Sequence, residues 1–364
     1  MKTILILANS SAGLYKFRHE LLVELTKEYI VYASLPDHSF DEELAKDKVN
    51  IIDTPINRRG VNPIEDIKLL KNYLVLLKRL KPSVVLTYTI KPNLYGGMAC
   101  RIMRVPYLAN ITGLGSALEN PGKLQKITLM LYRIGLKKAN IVFTQNSYNK
   151  VFLEQHNVIK SKIVLLPGSG VNTSRFRVLP WPSNGRGFAF VSRVMKEKGI
   201  EEYIACAESI TKEYPGAVFH VMGDCEEDYE QRLHELNRDG VIRYHGKVKD
   251  VIPYLSDVKC LIHPSFHEGM SNVCLEAASC GRAVITTDRP GCKETVVDGE
   301  TGFIVPVKDK EALITAVRRF LDMPDEEQRT MANNGRRYIE ENFDRQVVVD
   351  EYISAITGII AKTE

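Results

Sequence analysis

The sequence predicts an α/β protein of two doubly wound parallel-sheet domains separated by an inter-domain cleft, and three observations lead there. Short apolar runs rich in β-branched residues alternate with stretches of helical period along the whole chain. The alternation breaks once, at 167–187 ("PGSGVNTSRFRVLPWPSNGRG"), where prolines and glycines gather and no period survives, and then it restarts. A length of 364 residues suits two domains at roughly 100–200 residues each.

The strand candidates of the first half are "TILILA", "IVYAS", "VNIID", "VVLTY", "YLANI", "NIVFT" and "KIVLL". Helical segments lie between them, the longest from Pro63 to Leu80, with Pro63 suited to a first-turn position. Repeated strand–helix units of this kind build a parallel sheet covered on both faces. The second half offers "GFAFV", "AVFHVMG", "VIRYHG", "CLIHPS", "RAVITT" and "GFIV", then helical segments from Glu311 to the end. The expected division is a first domain at 1–170, a linker at 171–186, a second domain at 187–343 and a last helical segment at 344–364. In open parallel sheets ligands sit off the carboxyl ends of the strands, so the chemistry is expected in those loops.

Composition excludes several classes. With 44% hydrophobic and 26% charged residues, the chain is an ordinary globular one, not a long disordered one. No apolar run approaches the roughly 18 residues of a membrane-spanning helix, and "MKTILILANSSAG" reads as a first buried strand instead of a secretory signal. The 7 cysteines are scattered, with no C-x-x-C pair, which fits a reducing cytoplasm and excludes a disulfide framework or thiolate zinc site. A net charge of +4 conceals a segregation: residues 58–138 hold 15 basic side chains against Glu65, Asp66 and Glu119. Such a window attracts anionic lipid, diphosphates or nucleic acid.

The densest chemistry lies in "HPSFHEGMSNVCLEAASCGRAVITTDRPG". A strand ends at His263, a loop carries Glu268 and Gly269, and a helix opens near Ser271. The amides of Ser271, Asn272 and Val273 at that helix start form an anion site. Glu276, in the second turn, suits hydrogen bonds from sugar hydroxyls better than contact with phosphate. Upstream, "FVSRVMKEKG" places Arg193 just past a strand and Lys198 five residues later. A guanidinium fork and an ammonium point charge at one sheet edge suit a diphosphate.

Glu268 and Glu276, with Arg193 and Lys198 upstream, resemble the donor site of retaining glycosyltransferase family 4. The resemblance covers essentially the whole chain, including "NSSAG", "GKVKD", the "PS..EG" loop and the "G.TGF.V" strand. In the first half, "TYTIKPNLYG" and "NITGLGSALENPG" resemble the bacterial branch that builds capsular and other surface glycans on polyprenyl diphosphate. The family implies the GT-B arrangement of two facing Rossmann-like domains, its last helix crossing back to the first. By position, Arg193 and Lys198 would hold the diphosphate of a nucleotide sugar, UDP-linked in this branch. Ser271, Asn272 and Val273 would meet the same group, and Glu276 the ribose. Glu268 would touch the sugar, Val248 the base, and Gly13 would close over the diphosphate. Arg193, Lys198 and Glu268 are the expected catalytic residues. Asn110 and Thr112 stand where many members carry a histidine, so the acceptor side is expected to use main-chain or hydroxyl contacts.

For a polyprenyl diphosphate acceptor, Arg18 and Lys91 are the candidates by loop position. The segment 123–139 ("KLQKITLMLYRIGLKKA") spaces Leu124, Ile127, Leu131 and Ile134 as a helix does, among Lys123, Lys126, Arg133, Lys137 and Lys138. This reads either as a membrane-surface helix or as one packed on the core; Arg58 and Arg59 are further headgroup candidates. The expected location is cytoplasmic, peripheral on the inner face of the cell membrane. No cofactor and no metal are expected: Asp-x-Asp is absent, and the run Glu226-Glu227-Asp228 is explained as opening a helix. Three rivals are weaker. "GLGSAL" is a poor dinucleotide fingerprint without the acidic partner. The basic window lacks interleaved aromatics for nucleic acid. A same-fold epimerase or phosphorylase would lack the paired glutamates. The same transfer to a soluble acceptor remains the nearer alternative.

Overall fold

The structure, a computed structural model, describes the whole chain except residues 59, 61, 115–117, 119–121, 183, 184, 363 and 364. The chain forms two compact units, Met1–Ser169 with Arg345–Glu364, and Gly170–Asp344. Each is a parallel sheet wrapped in helices, and all thirteen strand candidates are strands among the described residues.

In the first unit the order is β1 (Thr3–Leu7), α1 (Ser11–Glu28), β2 (Ile30–Leu35), α2 (Asp41–Lys46), β3 (Asn50–Asp53), α3 (Pro63–Leu80) and β4 (Val84–Tyr88). A π turn (Pro92–Gly96), α4 (Gly97–Met103), β5 (Tyr107–Ile111), α5 (Lys123–Gly135), β6 (Ile141–Thr144), α6 (Ser147–Gln155) and β7 (Lys162–Leu165) follow. The sheet runs β3-β2-β1-β4-β5-β6-β7. Alternation within β1 sends Ile4 and Ile6 to one core and Leu5 and Leu7 to the other, so the strand reads as continuously apolar. Pro63 opens α3 with Asn62 capping the Ile64 amide, and Lys81 closes it in a left-handed conformation.

The second unit comprises β8 (Arg186–Val191), α7 (Ile200–Glu213), β9 (Ala217–Met222), α8 (Glu230–Arg238), β10 (Arg243–Tyr244), α9 (Ile252–Leu255), β11 (Cys260–His263), α10 (Asn272–Ser279), β12 (Ala283–Thr287), β13 (Gly302–Val305), α11 (Lys310–Asp322) and α12 (Asp325–Phe343). Its sheet runs β10-β9-β8-β11-β12-β13. The stretch before β8 has little regular structure but is packed: Val171 and Phe176 are buried in this unit's core. The last helix, α13 (Arg345–Ala361), belongs to the first unit, where Val348, Tyr352 and Ile356 enter the core beside α1. Strand order reverses between β1 and β4 in one sheet and between β8 and β11 in the other, and crevices at such reversals are where ligands bind.

Candidate functional site

In the second unit, the reversal point gathers the loops after β8 and β11. Beyond β8 the chain makes a short 3-10 turn, Lys196–Lys198, and Gly199 then adopts φ +77° to enter α7. A Cβ at Gly199 would lie 2.1 Å from the Pro264 carbonyl oxygen, so the two loops meet backbone to backbone. The Phe266 amide donates to the Glu197 carbonyl at 2.9 Å, locking the contact. Lys198 therefore reaches the "PS..EG" loop: its Nζ donates to Glu268 Oε1 at 2.7 Å and to the His267 carbonyl at 3.2 Å.

Glu268 is held a second time. His263, fully buried at the end of β11, places Nε2 3.0 Å from the same Oε1, which as a carboxylate oxygen can only accept. Burial alone would push the Glu268 carboxyl up; Lys198 and His263 outweigh it and bring it down to about 2. In the sequence His263 is only the residue that closes an apolar strand. The structure makes it the second anchor of Glu268, its Nδ1 buried and unpartnered among the described residues. The only signal in the chain is the five-residue spacing from His263 to Glu268.

Ser271 caps α10, its side chain accepting from the Cys274 amide, and its own amide donates to Gly291 at 2.7 Å. Gly291, at φ +82°, lies where a Cβ would be 2.7 Å from the Glu268 carbonyl, so this loop braces the Glu268–Ser271 turn. Asn272 and Val273, half-buried, follow the cap in the first turn, and Glu276 is half-buried one turn on. Val248 lies in the loop after β10, packed on the core that also holds Met270.

Arg193 is 49% exposed, and its guanidinium donates to Glu226 at 2.6 Å. Here the reading of Glu226-Glu227-Asp228 as a helix start is corrected. α8 begins only at Glu230; Glu226 pairs with Arg193, and Glu227 accepts from the Lys196 amide at 2.8 Å. The run turns back because Gly223, at φ +154°, packs directly on the Ser192 carbonyl, which brings both loops together. Its carboxylates thus brace the Arg193–Lys198 loop.

In the first unit, a pocket of about 270 Å³ opens at the other reversal point, lined by Asn9, Ile56, Arg58, Thr89, Ile90, Lys91, Thr112 and Gly113. Thr89 carries φ +73°, a strained conformation for a β-branched residue, and its hydroxyl is buried without a partner among the described residues. Lys91 donates to Asp66 at 2.7 Å, and Arg58 to Asp37 at 2.7 Å. Asp37 also accepts from the amide and hydroxyl of Ser11; burial raises its carboxyl, but these bonds win and its pKa lies below the ordinary value.

Gly13 is in the first turn of α1, its amide donating to Ser10 Oγ at 3.2 Å, so "NSSAG" is a tight cap more than an open loop. Arg18 does not line this pocket: it is buried, with its guanidinium 5.1 Å from the Tyr88 ring and 5.9 Å from the Tyr352 ring. Asn110 is buried in β5, its Nδ2 donating to the Tyr352 hydroxyl at 2.5 Å. Thr112 does line the pocket, and its carbonyl accepts from the Gln145 amide in the orientation that also serves Arg18. Lys123, Lys126, Arg133, Lys137 and Lys138 are exposed on and just after α5. Arg59 and part of "GLGSAL" lie outside the described residues. Among the described residues, no three His, Cys, Asp or Glu side chains form a metal-holding group, and no helix is long and apolar enough to cross a membrane.

The family model for "Glycosyl transferases group 1" matches residues 172–338 and that for "Glycosyl transferase 4-like" residues 3–146. The chain is 23% identical to the N,N'-diacetylbacillosaminyl-diphospho-undecaprenol alpha-1,3-N-acetylgalactosaminyltransferase of Campylobacter jejuni, over 97% of this chain and 98% of that one. It is 25% identical to the UDP-Gal:alpha-D-GlcNAc-diphosphoundecaprenol alpha-1,3-galactosyltransferase of Escherichia coli, over 87% and 89%. Among solved structures, Anabaena HepE in complex with UDP and glucose superimposes with a TM-score of 0.81 at 17% identity, covering 98% of this chain and 100% of that one.

Proposed function

Since the chain belongs to the family 4 glycosyltransferases and has their GT-B fold, we propose that it moves a hexose-type sugar from a UDP-linked donor to a polyprenyl diphosphate-linked saccharide, with retention, in surface glycan assembly. The observation that carries this is the Lys198–Glu268–His263 cluster beside the capped start of α10, all at one strand-order reversal. Relatives named for diphospho-undecaprenol acceptors, one also for a UDP-linked donor, support the substrate classes.

The chemistry follows from charge. As the anomeric bond breaks, negative charge grows on the departing diphosphate, and fixed cations that grip it more strongly in that state lower the barrier. Arg193 and Lys198 supply them, and the α10 amides add a dipole of the right sign. The departing phosphate oxygen takes the acceptor's proton on the same face, so neither an external base nor a metal is required. Glu268, ionised and doubly anchored, orients the sugar, and Glu276 accepts from the ribose hydroxyls. In the first unit, the pocket beside Thr89 and Thr112 takes the acceptor, with Lys91 and Arg58 at its wall.

Arg193→Ala is expected to lower turnover about 10- to 200-fold, on the scale of hydrogen bonds to charged groups. Steady-state kinetics within twofold of wild type would refute that role. The reading as a whole is tested by transfer of labelled sugar from a panel of UDP- and GDP-sugars into chloroform-extractable lipid. Incorporation from one donor, lost in Glu276→Ala, is the expected result. UDP binding without incorporation into lipid would keep the donor site and move the acceptor to soluble sugars.

A further inference from the structure

Two histidines of the second unit meet at the root of the loop 246–251. His220 lies in β9, 5% exposed, and His245 directly follows β10, half-buried. Arg243 is the register partner of His220, so His245, two residues on, returns to the same face of the sheet. There the two rings are nearly parallel, 8° apart, and His220 Nδ1 lies 2.9 Å from His245 Nε2. Such a bond joins an N–H on one ring to a bare nitrogen on the other, so the accepting ring at least must be neutral. Burial lowers the pKa of both, that of His220 to about 4, and the charge of Arg243 acts in the same direction. Asp257 opposes this at His220 but does not prevail. At neutral pH both rings are therefore uncharged.

The pair ties down both ends of the loop. His245 leads into it, and the His245 ring packs 4.7 Å from the ring of Tyr254 in α9, where the loop has ended. Backbone bonds hold the first end as well: the His245 amide donates to the Val221 carbonyl at 2.9 Å, and the Gly223 amide to the Gly246 carbonyl at 2.8 Å. Lys247 donates to Asp224 at 2.5 Å. Gly223 is also the residue that packs on the Ser192 carbonyl, so this loop and the Arg193 loop share one anchor. Bonds at one end leave a loop free to pivot. The contact of His220 with His245, and of His245 with Tyr254, restrains the other end too.

Val248 stands in this loop and is the position expected at the base of the nucleotide. We propose that His220 and His245 are positioning residues for that base, their hydrogen bond holding the main chain around Val248 where it can pair with a uracil edge. Uracil offers two carbonyl oxygens and one N–H, and the amides and carbonyls of a fixed loop are their complement. A loop held in place before binding also avoids the cost of ordering it on binding. The inference rests on the reading of this unit as the UDP-binding one and adds the groups that secure the base.

The test titrates the full chain with UDP and, separately, with inorganic diphosphate, which has neither base nor ribose. His220→Leu keeps apolar bulk in β9 and removes the ring nitrogen. It is expected to weaken UDP about five- to tenfold and diphosphate by less than about twofold. The donor KM should rise by the same factor as the UDP dissociation constant while kcat stays near the parental value. His220→Asn, whose side-chain amide stands where Nδ1 was, should restore most of the UDP affinity. His245→Leu, at a half-buried position, carries the same expectation if the substitution within β9 does not fold. Equal losses for UDP and diphosphate, no loss in a folded variant, or no rescue by asparagine would overturn the proposal. The transfer reading fails separately. UDP affinity that depends on His220, without transfer to any acceptor, would uphold the positioning role and sink that reading. Transfer from a UDP-sugar, with parental UDP affinity in both leucine variants, would do the reverse.

Discussion

Replacing Lys198 with alanine is expected to lower turnover about 10²–10³-fold, the range seen when one preorganised charge-stabilising group is removed from a site. Lys198 is the more deeply placed of the two cations, 13% exposed against 49% for Arg193. Its charge is therefore less screened than a surface ammonium. A second effect distinguishes this role from a merely structural one. Burial pushes the Glu268 carboxyl up, and Lys198 is the largest influence pulling it down. Without Lys198 the carboxyl regains a higher pKa, so the variant acquires an acid limb in its pH–rate profile that the parent lacks. Lys198→Arg should restore much of that profile but not full turnover, since a planar fork cannot reproduce a compact point charge. Parental turnover in Lys198→Ala, or an unchanged profile, would remove Lys198 from the mechanism.

The same carboxyl makes a prediction about acid stability. Its pKa in the folded chain is about 2 against an ordinary 4.5, so its contribution is complete above pH 4.5 and is lost as pH falls from there through 2. A shift of that size corresponds to about 3 kcal/mol. Denaturant midpoints measured across this window should show the loss in the parent and a smaller one in Lys198→Ala.

Arg282→Met is expected to cost ~3–5 kcal/mol of stability in the second unit. The Arg282 side chain is fully buried, and burial lowers its pKa to about 10, still high enough to keep the charge at neutral pH. No carboxylate meets it among its hydrogen-bond partners in the described residues. It donates instead to the carbonyls of Leu255 at 2.7 Å, Pro180 at 2.8 Å and Gly281 at 3.0 Å. Those bonds tie the irregular stretch before β8 to the body of the unit. Methionine fills similar volume with no donor and leaves the carbonyls unpaired in a dry interior. Thermal unfolding should shift down by about 10 °C, taking ~2–4 °C per kcal/mol for a unit of this size. Lysine is not expected to rescue, because one ammonium cannot span three separated carbonyls. A shift below about 2 °C would show that the carbonyls find other donors.

Much of this molecule is legible in its residues taken in order. The strands announce themselves because each is a short β-branched run between turn residues, a local property. Ser271 as a cap, Pro63 at a helix start, and Arg193 and Lys198 beyond a strand are local too, since each depends on a few neighbouring backbone angles. The resemblance to the family rests on motifs that are equally local, and the family models match over them. What order alone cannot supply is which groups far apart in the chain become neighbours. Glu226 reads as a helix-opening acid until the Gly223–Ser192 contact turns it toward Arg193. His263 reads as the end of an apolar strand until the loop folds Glu268 back over it. Asn110 and Tyr352 sit 242 positions apart and share a buried hydrogen bond. Helix α5 shows the division most plainly. Its period reveals apolar residues around more than one side, but burial is a property of what packs against a helix. Only the close approach of Gly135 to the π turn leaves Ile127, Met130 and Ile134 facing outward.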